Sequence, residues 1–298
     1  MRSSNPVFSR RGFSRDNGYA GFNAQQPQAG GPAVGTNPYA EGATNPYATN
    51  PYATDPHTPG AQLGAPPQAR GDVMTIDDVV SRTAMTLGTV VLTAVLSWVL
   101  LPVDSANIGK SYGIAIGAAL VAFVLAMVQS FKRKASPALI LAYAAFEGVF
   151  LGVISSAVST YISPGVVVQA VLGTMAVFAG VLIAYKMRWI RVTRRFYGFV
   201  IAAAIGFMLL MMVNLLFAVF GGGDGLGFRS GGLGILFGVI GIILGACFLA
   251  LDFKQVEDGV TYGAPREESW LAAFGLTMTL VWIYLEMLRV LSILQGDD

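Results

Sequence analysis

The chain is 298 residues long, 54% hydrophobic and only 12% charged, with a mean hydropathy of +0.60 and a formal net charge of +2. A soluble domain carries about 25% charged residues, so this composition excludes an ordinary water-soluble fold and points to a membrane protein. The small net charge, with basic residues in short blocks between apolar runs, also excludes nucleic acid as a partner.

Residues 1–70 hold most of the Asn, Gln and Pro clusters and repeat Thr-Asn-Pro-Tyr-Ala at Thr36–Ala40, Thr44–Ala48 and Thr49–Ala53. Proline lacks a backbone donor and Asn-Pro favours turns, so this stretch is expected to be a disordered tail rather than a packed core. Tyr39, Tyr47 and Tyr52 are either short motifs for a partner or parts of a spacer. The first apolar run begins near residue 83 and is too long for a secretory signal core, so it is expected to stay in the protein as the first span. The domain division is therefore a tail over 1–70 and a membrane domain over 71–298.

Seven spans are expected over 83–102, 111–131, 137–158, 166–185, 196–220, 232–253 and 270–294. Each has the roughly 20 residues needed to cross about 30 Å of hydrocarbon, where only helices satisfy their own backbone. The fold class is thus an all-α membrane protein, a seven-transmembrane-helix bundle. Cys247 cannot form an internal disulfide and reads as a small apolar side chain within the sixth span.

Lys132, Arg133 and Lys134 fill the second loop, and Lys186, Arg188, Arg191, Arg194 and Arg195 the fourth; the first, third and fifth hold only Lys110 and Arg229. Short basic loops stay cytoplasmic, which predicts a plasma-membrane protein with its N-terminal tail inside and Asp297 and Asp298 outside. The sixth loop, Lys254 to Ser269, mixes Glu257, Asp258, Glu267 and Glu268 with Lys254 and Arg266 and places negative charge at the inner mouth. Glycines spaced by four at 113/117, 148/152, 234/238 and 241/245 allow close helix approach, and Trp98, Tyr112, Trp189, Tyr197 and Trp270 suit interfacial belts.

Three carboxylates interrupt the spans: Glu147, Asp252 and Glu286. Each forfeits hydration at several kcal/mol unless paired, protonated or wet, which makes them the first candidates for a working site. Glu147 lies about 16 Å past Ser136, near the midplane; Asp252 falls near the inner end of its span; Glu286 lies about 25 Å up the last span. Asp252 and Glu147 are therefore able to approach each other, whereas Asp252 and Glu286 are not. Glu286 precedes Arg289 by three, which places them on one helical face as an ion pair of structural or functional purpose.

The segment Leu249-Ala-Leu-Asp252-Phe-Lys-Gln255-Val, the last span ending Leu288-Arg289-Val-Leu-Ser-Ile-Leu294, Lys186-Met187 before a basic loop, and the seven-span layout together resemble the Bax inhibitor family, in particular its bacterial members. The resemblance covers roughly residues 75–298 and rests on the joint order of these segments. It implies a bundle with a central last helix and a pH-sensitive calcium leak latched by two aspartates that share a proton. Asp252 matches the first aspartate. Thr279 stands where the second is expected, with Glu286 two turns further along the same face, so this chain departs from the two-carboxylate pattern.

Two close carboxylates in low dielectric titrate as a unit, and loss of their shared proton parts the helices or draws in a cation. In this chain the expected arrangement is Asp252 hydrogen-bonded to Thr279, with Glu147 as the nearest second acid. Those three with water would make a weak, hypothetical calcium site, metal-ligated by Asp252 and Glu147, loose enough for an ion to leave. The expected partners are calcium or protons, the lipid bilayer and another membrane protein.

Enzyme chemistry is not expected, nor is a cofactor. His57, the one histidine, lies in the tail, which removes a zinc-peptidase pair and a Ser-His protease. Gly221-Gly222-Gly223-Asp224 looks like the Gly-x-Gly-Asp of intramembrane aspartyl proteases but falls at the membrane face opposite Asp252. Three functions stay open: a proton-modulated cation path on Asp252; a regulator of a membrane-bound protease, as the resemblance implies for a bacterial branch; and a secondary transporter with Glu147 as proton carrier.

Overall fold

The computed structural model describes residues 73–132, 134–221 and 225–296. The tail with its tyrosine repeats, Arg133, Asp224 and the terminal Asp297 and Asp298 lie outside the described residues. Among those described there are seven helices long and apolar enough to span a membrane: α1 (Ile76–Leu100), α2 (Ile108–Phe131), α3 (Pro137–Tyr161), α4 (Pro164–Lys186), α5 (Arg194–Gly221), α6 (Gly231–Thr261) and α7 (Ser269–Gly296). The only extended pairing among them is an isolated bridge of Val73 with Pro265, where the Met74 amide also donates to the Ala264 carbonyl at 2.8 Å.

Local chemistry sets the helix ends. α1 starts at Ile76 rather than at 83, because Thr75 caps it: its Oγ1 accepts from the Asp78 amide at 3.1 Å, and Asp77 and Asp78 favour the positive end of the helix dipole. α3 and α4 start at Pro137 and Pro164, whose missing N–H groups would have no helical partner there. The expected sixth loop is shorter than its charges suggested, since α6 runs on to Thr261. Lys254 reaches Glu257 at 3.5 Å and Asp258 at 2.8 Å, so these charges brace two further helical turns. Before α2, Asp104 accepts from the amides of Ala106 (3.0 Å) and Asn107 (2.8 Å), and the bonds from Asn107 hold its carboxyl below the usual carboxylate range.

α7 is the hub and packs against α6, α4, α1 and α3; α1 and α2 both lie on α3, and α5 lies along α6. Glycines make two of these seams. A Cβ on Gly148 would sit 2.4 Å from the Val90 carbonyl oxygen, and one on Gly152 2.2 Å from that of Ala94, so α1 and α3 touch backbone to backbone. On α6, Gly238, Gly241 and Gly245 receive Val290, Glu286 and Ile283 of α7 in an antiparallel register. Gly113 and Gly117 are different: nothing lies within 4 Å of either, so the spacing on α2 makes no helix contact among the described residues.

Hydroxyls stitch the hub to its neighbours. Thr86 of α1 meets Thr277 of α7 at 2.7 Å, both fully buried, and Ser155 of α3 meets Tyr284 of α7 at 2.7 Å. In hydrocarbon such bonds contribute about 0.6 kcal/mol each, and an unpaired hydroxyl is the worse alternative.

Candidate functional site: the α6–α7 seam and the α3–α5–α7 cavity

The α6–α7 register places Asp252 opposite Gly275 and Thr279 of α7. The Thr279 hydroxyl donates to Asp252 Oδ2 at 2.6 Å. Gly275 leaves the space the carboxylate occupies, since a Cβ there would lie 3.3 Å from Asp252 Oδ1. Leu249 and Ala250 beside it are fully buried. Toward the end that carries the second, fourth and sixth loops, Phe253 stands edge-on to Phe178 of α4 (5.7 Å) and tilted against Tyr185 (5.8 Å), and the Tyr185 hydroxyl donates to Glu257. The seam is therefore closed by one hydrogen bond to an acid, with aromatic packing beneath it.

A second group of charges lies on another face of α7. A cavity of about 680 Å³ is walled by α3, α5 and α7, with Glu147, Glu286, Arg289 and Arg229 in its lining. Glu286 and Arg289 form an ion pair whose side chains are only 15% and 11% exposed, so both charges rely on each other. Arg289 Nε and Nη1 are buried without a hydrogen-bond partner among the described residues, and Arg229 adds its positive field to the pair from the fifth loop. Glu147 is half-buried at the deep end beside Tyr143 and has no hydrogen bond or ion pair among the described residues.

Depth relates the two groups. α3 and α7 run in the same direction: the Tyr143 and Phe274 rings meet at 5.2 Å near their starts, and Ser155 meets Tyr284 at 2.7 Å further along both. Glu147 and Thr279 each lie about 15 Å from the start of their helix, close to the middle of a 30 Å hydrocarbon layer. Met278 faces the cavity and Thr279, the next residue, holds Asp252. The structure thus unites Asp252 with Thr279, and Glu147 with Glu286 and Arg289. Asp252 and Thr279 are not in the cavity lining, and Glu147 stands at their level across α7. Among the described residues no group of three His, Cys, Asp or Glu is poised around one metal ion.

Arg229 and Trp282 are the cavity residues that sequence reasoning passed over. Arg229 read only as a lone loop charge; its place follows from α6 starting at Gly231 and running back along α7, so that Gly234 meets both Arg229 and Ile293. Trp282 read as part of an apolar run, yet its Nε1–H donates across the seam to the Gly241 carbonyl at 3.2 Å.

The hub-like last helix agrees with the sequence resemblance, and a family profile described as Bax inhibitor 1 like matches residues 5–296. The chain belongs to the Bax inhibitor 1 like family. No curated protein matches it at the same standard. As a Bax inhibitor 1 like protein it is a multipass membrane protein, and its departure from the two-carboxylate pattern is concrete: a threonine hydroxyl, not a second acid, meets Asp252.

Proposed function

We propose that this chain is a passive, non-enzymatic and proton-modulated cation path in the cell membrane, with calcium as its cargo, the basic second and fourth loops facing the cytoplasm and the third and fifth facing out. The α3–α5–α7 cavity is the outer entrance, and Glu147 the carboxylate that meets the ion near the midplane. The Asp252–Thr279 bond is the closure of the inner half. The observation that carries this reading is that bond: a partly buried acid on a helix seam, met by one hydroxyl donor about 15 Å along α7 and flanked on its own helix by the fully buried Leu249 and Ala250.

The sign of the pH response follows from what each form of Asp252 needs. The protonated form is neutral and is satisfied by Thr279 and the packed seam. The ionised form has about four lone-pair sites and one donor, so it recruits water or a cation and loosens α6 from α7. Flux should therefore increase as pH rises and fall as it drops. Purified full-length chain in liposomes loaded with a calcium dye provides the test. Wild type is expected to pass calcium with this pH dependence, and Asp252→Asn to keep one flux across the same range. Equal pH profiles for the two proteins, or no flux from either, would overturn the reading.

A further inference from the structure

Two largely apolar hollows meet at Arg229 on the outside of the bundle. The first is the α3–α5–α7 cavity, which also holds Glu147 and the Glu286–Arg289 pair; the second, of about 570 Å³, lies on α5 and is lined by Met212, Leu215 and Ala218 with Asn214 and Ser230. Both share Met208, Met211 and Arg229. Arg229 precedes the first residue of α6 by two positions, at a helix end, whereas the hollows extend along membrane-spanning helices. A charged group at the level of the lipid headgroups, with an apolar hollow on either side, has the layout of a two-chain amphiphile.

We propose that this junction binds an anionic phospholipid, its phosphate on Arg229 and one acyl chain in each hollow. The charges favour an anion at this end: among the described residues there, Arg229 and Arg289 face one carboxylate, Glu286, which is already paired with Arg289, while Glu147 lies at the deep end of the cavity. Arg229 itself makes no hydrogen bond or ion pair with any described residue, and Arg289 Nε and Nη1 are unpartnered. A basic side chain near an anionic headgroup contributes about 1 kcal/mol, or a preference of about fivefold over a zwitterionic lipid. The walls suit hydrocarbon chains, because most residues around both hollows are Met, Leu, Ile, Val, Phe or Ala. α5 helps by lying along α6 and leaving the α3 side of α7 open.

Trp282 lines the first hollow and reports on it directly. The experiment uses the full chain with Trp98, Trp189 and Trp270 each changed to Phe, in phosphatidylcholine vesicles containing rising mole fractions of phosphatidylglycerol brominated on its chains. Brominated phosphatidylcholine is the reference. Trp282 fluorescence is expected to reach half-quenching at an about fivefold lower mole fraction of the anionic lipid. Arg229→Gln should abolish that preference and Arg229→Lys should keep most of it. Equal quenching by the two lipids, or an unchanged preference in Arg229→Gln, would overturn the proposal. So would displacement of the brominated lipid by inorganic phosphate, which would make this a site for a free anion. The acyl chain shares the α3–α5–α7 cavity with the proposed ion entrance, so lipid and ion compete there; the readout is lipid occupancy, which succeeds or fails separately from the pH dependence of calcium flux in Asp252 variants.

Discussion

At the scale of single residues, the two acids of α6 and α7 are handled in opposite ways. Glu286 has a full cationic partner, and removing only Arg289 strands a buried carboxylate. Arg289→Leu should lower stability by about 3–5 kcal/mol, and the Glu286→Gln/Arg289→Leu double variant should recover much of that. Thermal unfolding in one detergent across the full double-mutant cycle measures both. Asp252 has only a hydroxyl. Thr279→Val is expected to destabilise by about 1–3 kcal/mol in the same assay at high pH, where the carboxylate is charged, and by less in acid. Thr279→Asp restores two facing carboxylates at the seam. They would release their protons in two separate steps, so calcium flux should respond to pH over a wider interval than in wild type.

At the scale of helices, glycine spacing alone does not decide which pairs matter. Gly148→Leu should separate α1 from α3 and reduce the folded, monodisperse fraction recovered from detergent, because the Val90 backbone already occupies the space. Gly113→Leu should leave that fraction unchanged, since nothing lies within 4 Å. The two glycine motifs read alike in sequence, where a partner's surface is invisible. Hydropathy located all seven spans, because an apolar run about as long as the bilayer is thick leaves the backbone no other option. It misplaced the start of α1 and the end of α6, since a Thr cap and Lys–Asp bracing extend helices past the apolar boundary. The Thr279 bond to Asp252 was legible only through the family resemblance, which placed Thr279 by anchoring on Leu288-Arg289. The distribution of the other charges was not: whether Glu147 joins Asp252 or Glu286 depends on which face of α7 turns toward α3, and adjacent residues 278 and 279 point to different neighbours.

At the scale of the whole molecule, the proposed direction of insertion has its own check. A cysteine introduced at Arg191 should react with a membrane-impermeant maleimide only after cells are broken, and one at Gly227 should react in intact cells, each in a Cys247→Ser background. The reverse pattern would turn the entrance cavity toward the cytoplasm. The charge arrangement makes that difference functional, because the cavity ends at Arg229 on one side and near Glu147 at mid-depth on the other.

The central position of α7 also bears on how the protein is made. The helix that packs against four others is synthesised after all six of its fellows, so they enter the bilayer before their common core exists. Until then the hydroxyls of Thr86 and Ser155 have no partner on another helix. Each already turns back on its own helix, Thr86 toward the Thr83 carbonyl at 3.0 Å and Ser155 toward that of Leu151 at 2.6 Å. These two hydroxyls can wait in oil without being stranded, and the arrival of Thr277 and Tyr284 adds cross-links to bonds that are already made, whereas Asp252 meets its hydroxyl donor only when Thr279 arrives.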